Sequence, residues 1–189
     1  MFTLEDASAY TILRLTSEDG TNRLTRARVL ALTDAIAALP GKPLIIAGNT
    51  HFFSAGADLN EIAQLTEPDA FHFARMGQRL MHLIDDFPAL VIAAIDGYCM
   101  GGGLDLALAC DLRIASPHAV FGHRGAALGI MTGWGGTQRL PRLIGKAQAM
   151  QTFAAAEKIK AEQALELGLV DQVAEDPLAR AVQLLSSAV

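Results

Sequence analysis

Residues 97–111, GYCMGGGLDLALACD, place Gly101, Gly102 and Gly103 directly after an apolar run and directly before a helix-like segment. In an ordered element each glycine costs about 0.5–1 kcal/mol relative to alanine, so three in a row at one junction constrain the chain strongly. Such a junction feeds a strand into a helix and leaves backbone N–H groups open at the helix start. The pattern recurs in this chain. LIIAGNTHFFSAGADLNEI ends a strand, loops and enters a helix at Ala55-Gly56-Ala57-Asp58, and GIMTGWGGTQRL does the same at Gly133 to Thr137. A helix N-terminus carries partial positive charge, and glycine lets a ligand oxygen come close to its backbone.

The segments between these turns alternate in type. YTILRLT (10–16), PLIIAGN (43–49), ALVIAAID (89–96), DLRIAS (111–116) and GLVDQVA (168–174) read as strands. TRARVLALTDAIAAL (25–39) has helical spacing and stops at Pro40-Gly41, and ADLNEIAQL and PDAFHFARMGQRLMHLIDDF are helix-like, the second opened by Pro68. LDLALAC, GGTQRLPRLIG, AQAMQTFAAAEKI and the closing DPLARAVQLLSSAV read as further helices. Strands alternating with helices predict an α/β fold. No internal repeat is visible, and 189 residues at 51% hydrophobic content predict one domain over 1–189 with a sizeable core.

Several function classes are disfavoured by what is missing. Fifteen Lys and Arg against 20 Asp and Glu, without a basic run, argue against nucleic acid as a partner. Cys99 and Cys110 sit in apolar stretches and read as small buried hydrophobes. No apolar segment approaches the ~18 residues of a membrane span and no leader pattern opens the chain, so a cytoplasmic protein is expected. The G-x-x-x-x-G-K-[ST] motif is absent, the glycine turns do not fit G-x-G-x-x-G, and Ser54 in FFSAG has Phe52 where a nucleophile elbow has glycine. No cluster has metal-ligand spacing, so no metal site is expected. The arrangement left standing is an oxyanion hole: two backbone N–H donors from two turns converging on one oxygen that gains charge.

SAGADLNEI, AAIDGYCMGGGLDLALACDLRIAS, FGHRGAALGIMTGWGGTQRLPRLIG and KAEQALELGLVDQV, in that order, resemble the enoyl-CoA hydratase/isomerase (crotonase) family over residues 10–175. The resemblance implies a spiral of repeated ββα units with flanking helices. It also implies an acyl-CoA thioester as substrate, with coenzyme A entering as part of it and no tightly bound cofactor, and a homo-oligomer, trimer or hexamer. The oxyanion donors it implies are the N–H groups of Ala57 and Gly102, with Ser54, Ala55, Gly56, Asp58, Leu59 and Gly101 around the CoA thioester. Asp58 is expected to cap the helix that Ala57 opens, and Trp134 to wall the acyl pocket or to fill core or interface. Gly102→Val is expected to abolish turnover without unfolding the protein.

The acid/base residues depart from the family pattern. Where hydratases of the family carry two glutamates, this chain has Asp105 at the first position and Gly125 at the second. An aspartate carboxylate lies about 1.5 Å nearer the backbone, so Asp105 serves as acid or base only if substrate or water comes to it. Some members with glycine at the second position recruit an external anion as base, and His123 and Arg124 are the candidates to accept a proton or hold such an anion. The chain also ends after the first helix beyond GLVDQV, so part of the C-terminal helical region is expected to be missing and the pocket to be open or closed by a neighbouring subunit. Three readings remain open: a hydratase- or isomerase-type enzyme, a decarboxylase or other enolate enzyme of the family, and a catalytically silent thioester-binding subunit. An unrelated nucleotide-binding α/β protein is disfavoured by the absent phosphate motifs.

Overall fold

The computed structural model describes residues 2–186. In chain order the elements are β1 (Phe2–Asp6), β2 (Thr11–Leu15), α1 (Arg26–Ala37), β3 (Leu44–Ala47), β4 (Phe52–Ser54), α2 (Leu59–Ala63), α3 (Glu67–Asp85), β5 (Val91–Ile95), β6 (Tyr98–Met100) and α4 (Gly102–Ala109). They continue with β7 (Leu112–Ala115), β8 (Val120–Gly122), a 3₁₀ turn (Gly125–Leu128), α5 (Gly136–Ile144), α6 (Lys146–Ala155), β9 (Ile159–Lys160), α7 (Ala161–Glu166), β10 (Gln172–Val173) and α8 (Pro177–Ser186). Two sheets result, a six-stranded one in the order β1-β2-β3-β5-β7-β10 and a four-stranded one in the order β4-β6-β8-β9. β1 runs antiparallel to β2 and β9 to β8, and the other pairings are parallel.

The chain contains the structural repeat that the resemblance implied, although no internal repeat is visible in the residues themselves. β3-β4, β5-β6 and β7-β8 each give a strand to the large sheet, then a three-residue strand to the small one, then lead into helix. The period is written in backbone geometry while the side chains of the three units differ, so it leaves no trace of self-similarity. Strands as short as β4, β6, β8 and β9 also lack the length for a visible alternation, which is why they fell inside segments read as loop or helix. α4 begins two residues earlier than LDLALAC suggested, so Gly102 and Gly103 are its first turn. β10 is confined to Gln172–Val173 because Gly168 to Asp171 turns. Helix α7 lies where no element was assigned, and the final three residues of the predicted last helix lie outside the described residues.

The near-continuous apolar strands β3 (LIIA) and β5 (VIAAI) are buried along their whole length because the large sheet is covered on both faces. Successive side chains point to opposite faces. Leu44, Ile46, Val91, Ala93 and Ile95 face the main core, which α1, α3 and α4 complete. Ile12, Ile45 and Ile92 stand in register on the other face, where Ala181 and Leu185 of α8 cover them. Cys99 and Cys110 are buried free thiols. Among the described residues no helix is long and apolar enough to cross a membrane.

Ile92 is fully buried beneath α8, so Ile92→Ala is expected to lower unfolding free energy by about 2–5 kcal/mol, read by urea denaturation. A value under ~1 kcal/mol would mean that α8 does not seal this face.

Candidate functional site

The turn after β4 and the turn after β6 touch backbone to backbone. Ser54 Oγ accepts the Gly56 N–H at 3.1 Å and donates to the Asn22 carbonyl at 2.8 Å, which fixes the first turn. Gly56 has φ +91, and a Cβ there would lie 2.5 Å from the Met100 carbonyl oxygen and 2.9 Å from the Gly102 nitrogen. The three opening glycines have separate reasons. Gly101 turns the chain at φ +51, Gly103 has no room for a Cβ within 2.7 Å of Ser54, and a Cβ on Gly102 would stand 3.2 Å from the Ala57 nitrogen and 2.6 Å from the Trp134 ring. Among the described residues neither the Ala57 nor the Gly102 N–H finds an acceptor. Both residues line a cavity of about 430 Å³.

Trp134 is wedged between two helices. Its indole lies over Gly77 of α3, where a Cβ would come within 2.2 Å, and over Gly102 of α4. The Nε1–H donates to the Phe73 carbonyl at 3.2 Å, and the Phe73 ring packs at 5.2 Å. The residue is therefore both pocket wall and core. This geometry corrects the sequence expectation for Gly102→Val: any side chain at Gly102 displaces the indole, so that substitution disturbs the fold along with the donor.

The other predicted residues divide into two groups. Ala55, Ala57, Leu59, Gly101, Gly102, Asp105 and His123 line the cavity, as does Arg124 from its exposed position. Ser54, Gly56 and Asp58 do not; they hold the turn. Asp58 Oδ1 accepts from the Asn60 and Glu61 N–H groups at 2.8 and 3.3 Å and caps α2. The Gly125 backbone is folded so that a Cβ would meet the Ile130 carbonyl oxygen at 2.4 Å, and Ile130 N–H donates back to Gly125 at 2.9 Å. No side chain fits at Gly125 in this loop.

Asp105 is the sole ionisable group of α4, a helix buried on every side. Thr132 Oγ1 donates to its Oδ2, and its Oδ1 lies 3.4 Å from His123 Nε2. Burial pushes the carboxyl up to about 7, against the pull of the Thr132 hydroxyl, the Arg139 charge and the Gly136 N–H. Burial likewise lowers His123 to about 4. His123 lies on the loop after β8, where it is 4% exposed and packs on Phe153 at 5.3 Å. The sequence reading does not single out Gly77 or Thr132. Thr132 stands one residue before the glycine-rich turn at Gly133 to Thr137, and Gly77, the lone glycine inside α3, is the one available signal.

A sequence profile of the enoyl-CoA hydratase/isomerase family matches residues 11–188. The chain belongs to this family. It is 38% identical over 177 residues to a crotonyl-CoA hydratase of Syntrophomonas wolfei, a match covering 91% of this chain and 68% of that protein. It is 46% identical over 136 residues to a probable enoyl-CoA hydratase of Bacillus subtilis, covering 71% of this chain and 53% of the relative. The chain thus spans between about half and about two thirds of the length of these relatives. Among solved structures, an enoyl-CoA hydratase from Bacillus anthracis superposes with TM-score 0.92 at 34% identity, covering 98% of this chain and 75% of that one. One from Thermoplasma volcanium superposes with TM-score 0.93 at 31% identity, covering 99% and 76%. The two-sheet spiral described above is the fold of this enoyl-CoA hydratase/isomerase family, as the resemblance implied.

Two outcomes follow from the site's packing and charge. Alanine is a better helix former than glycine by about 1 kcal/mol, yet Gly77→Ala is expected to destabilise by about 1–3 kcal/mol, because its Cβ collides with the indole. Trp134 is the one tryptophan in the sequence, so its fluorescence maximum reports the displacement; an unshifted spectrum with raised stability would refute the wedge. For Asp105, the folded pKa near 7 lies above the unfolded value, so its burial costs stability progressively as pH rises from about 4 to 7 and fully above that. Asp105→Asn is therefore expected to gain stability relative to the parent as pH rises through that window, by up to roughly 4 kcal/mol, in denaturation at several pH values. His123 contributes the opposite slope, since its lowered pKa costs stability as pH falls below the ordinary histidine range.

Proposed function

We propose that the protein acts on acyl-CoA thioesters and stabilises their enolate between the N–H groups of Ala57 and Gly102. The observation that carries this reading is that two acceptor-free N–H donors from separate turns meet at the start of α4, facing a cavity that also holds a buried carboxyl. The α4 dipole adds positive potential where the thioester oxygen gains charge. One such donor is worth ~2.7–4 kcal/mol to a transition state. Asp105 is the acid/base group, held near neutrality where it can both take and return a proton.

The relatives' names, crotonyl-CoA hydratase and enoyl-CoA hydratase, make 2-enoyl thioesters the first substrates to test. Gly125 narrows the chemistry. Activating water with a carboxylate pair needs a second acid/base side chain, and the closed loop at Gly125 admits none. One-base isomerisation of the family type lacks the same carboxylate, whereas enolate formation with proton transfer at Asp105, as in exchange or decarboxylation, needs only the groups present. The same loop supports the second reading, a thioester-binding protein without turnover.

Incubation in D₂O with saturated, 2-enoyl, 3-enoyl and malonyl-type CoA esters, followed by mass spectrometry, is expected to show deuterium at the α-carbon. Asp105→Asn is expected to slow that exchange by roughly 10²–10⁴-fold with ester affinity unchanged. Tight binding of an ester without exchange in the parent protein would leave the non-catalytic reading.

A further inference from the structure

Within the main core, Asp105 Oδ1 and His123 Nε2 are buried side-chain atoms without a hydrogen-bond partner among the described residues, and they face each other at 3.4 Å. Asp105 is 1% exposed and His123 4%. Leaving two such atoms unsatisfied is costly, and one hydrogen between them satisfies both. The remaining carboxylate oxygen, Oδ2, already has a donor in Thr132 Oγ1. Gly136 closes the other side: a Cβ there would fall 2.2 Å from Oδ1 and 2.9 Å from His123 Nε2, so the first residue of α5 is pressed against the pair. Both Asp105 and Thr132 line the cavity, together with His123.

We propose that Thr132 and His123 are positioning residues that divide the lone pairs of Asp105, leaving one on Oδ1 for the proton of a thioester α-carbon. Thr132 holds Oδ2. The carboxylate selects the Nε2–H tautomer of His123, whose hydrogen occupies one lone pair of Oδ1. In the step, the substrate Cα–H bond breaks, its proton forms an O–H bond on Oδ1, and the electron pair moves into the enolate. While on Oδ1 the hydrogen exchanges with solvent, and a proton then returns from Oδ1 to carbon, so no further reactant is consumed. The inference rests on the enolate reading above and assigns its base a fixed geometry.

The groups facing Asp105 from the surrounding elements are His123 after β8, Thr132 and the Gly136 N–H at the entry to α5, Arg139 of α5 and the Cys99 thiol of β6. Arg139 is paired with Asp85 at 3.0 Å, and burial keeps Cys99 neutral. Thr132→Val alters none of these charges. It removes a donor that favours the ionised form, so the carboxylate becomes harder to form.

The test follows α-proton exchange on a saturated acyl-CoA in D₂O from about pH 5 to about 9. In Thr132→Val the acid limb is expected to move up by about one pH unit, a roughly 10-fold loss on the limb with little loss above it, and Thr132→Ser is expected to restore the parent profile. A limb that stays in place, or a uniform loss at every pH, overturns the proposal. A second measurement needs no substrate and no variant. Nitrogen-15 NMR of His123 in the parent protein is expected to show the Nε2–H tautomer above the Asp105 midpoint and the Nδ1–H tautomer below it; a single tautomer throughout overturns the proposal. Absence of exchange on every bound ester in the parent would instead remove the enolate reading, and the NMR titration would still decide the arrangement around Asp105.

Discussion

Two strand-to-helix turns can meet here only because no side chain stands between them. Gly56 lies against the Met100 carbonyl and the Gly102 nitrogen, and Gly103 lies against Ser54. Each contact is shorter than a Cβ allows, so the approach is set by peptide groups, which are stiffer than side chains. That fixes where the Ala57 and Gly102 N–H groups point without relying on a rotamer. It also ties the small sheet together: β4, β6 and β8 must stack in parallel for the turns at their ends to line up.

Among the polar side chains buried around this contact, one ionisable group is the most informative. α4 is buried on all sides, and its first turn carries Asp105, whose charge the surroundings oppose. Trp134 seals the neighbouring wall by resting on two glycines of two helices, so the same indole that shapes the cavity also couples α3 to α4. Stability and site are thus built from the same contacts. A protein arranged this way keeps a carboxyl near neutrality by spending folding energy on its burial.

Much of this was legible beforehand. The long strands β2, β3, β5 and β7 and the helices α1 and α3 announced themselves through apolar periodicity, and the glycine runs marked the two turns. The family resemblance supplied the spiral that no period in the residues revealed. The rest depended on distance. Thr132 is an ordinary threonine until α5 brings it to Asp105, and Gly77 is a helix defect until Trp134 is seen to lie on it. His123 is indeed a loop residue, just past β8, and what the sequence could not show is its burial, which follows from packing against Phe153 of α6. Sequence order carries none of these neighbours.

The alternation along the central strands reaches beyond packing. In β3 and β5 the residues facing the site-bearing core alternate with residues facing α8. The two sides of the sheet therefore read interleaved letters of the same words. Substitutions on the α8 side can accumulate as a separate series, repacking the chain's last helix while the residues beneath the cavity stay as they are. An insertion of one residue in any of these strands does the opposite, since it exchanges the two series at once and leaves neither side its own alphabet.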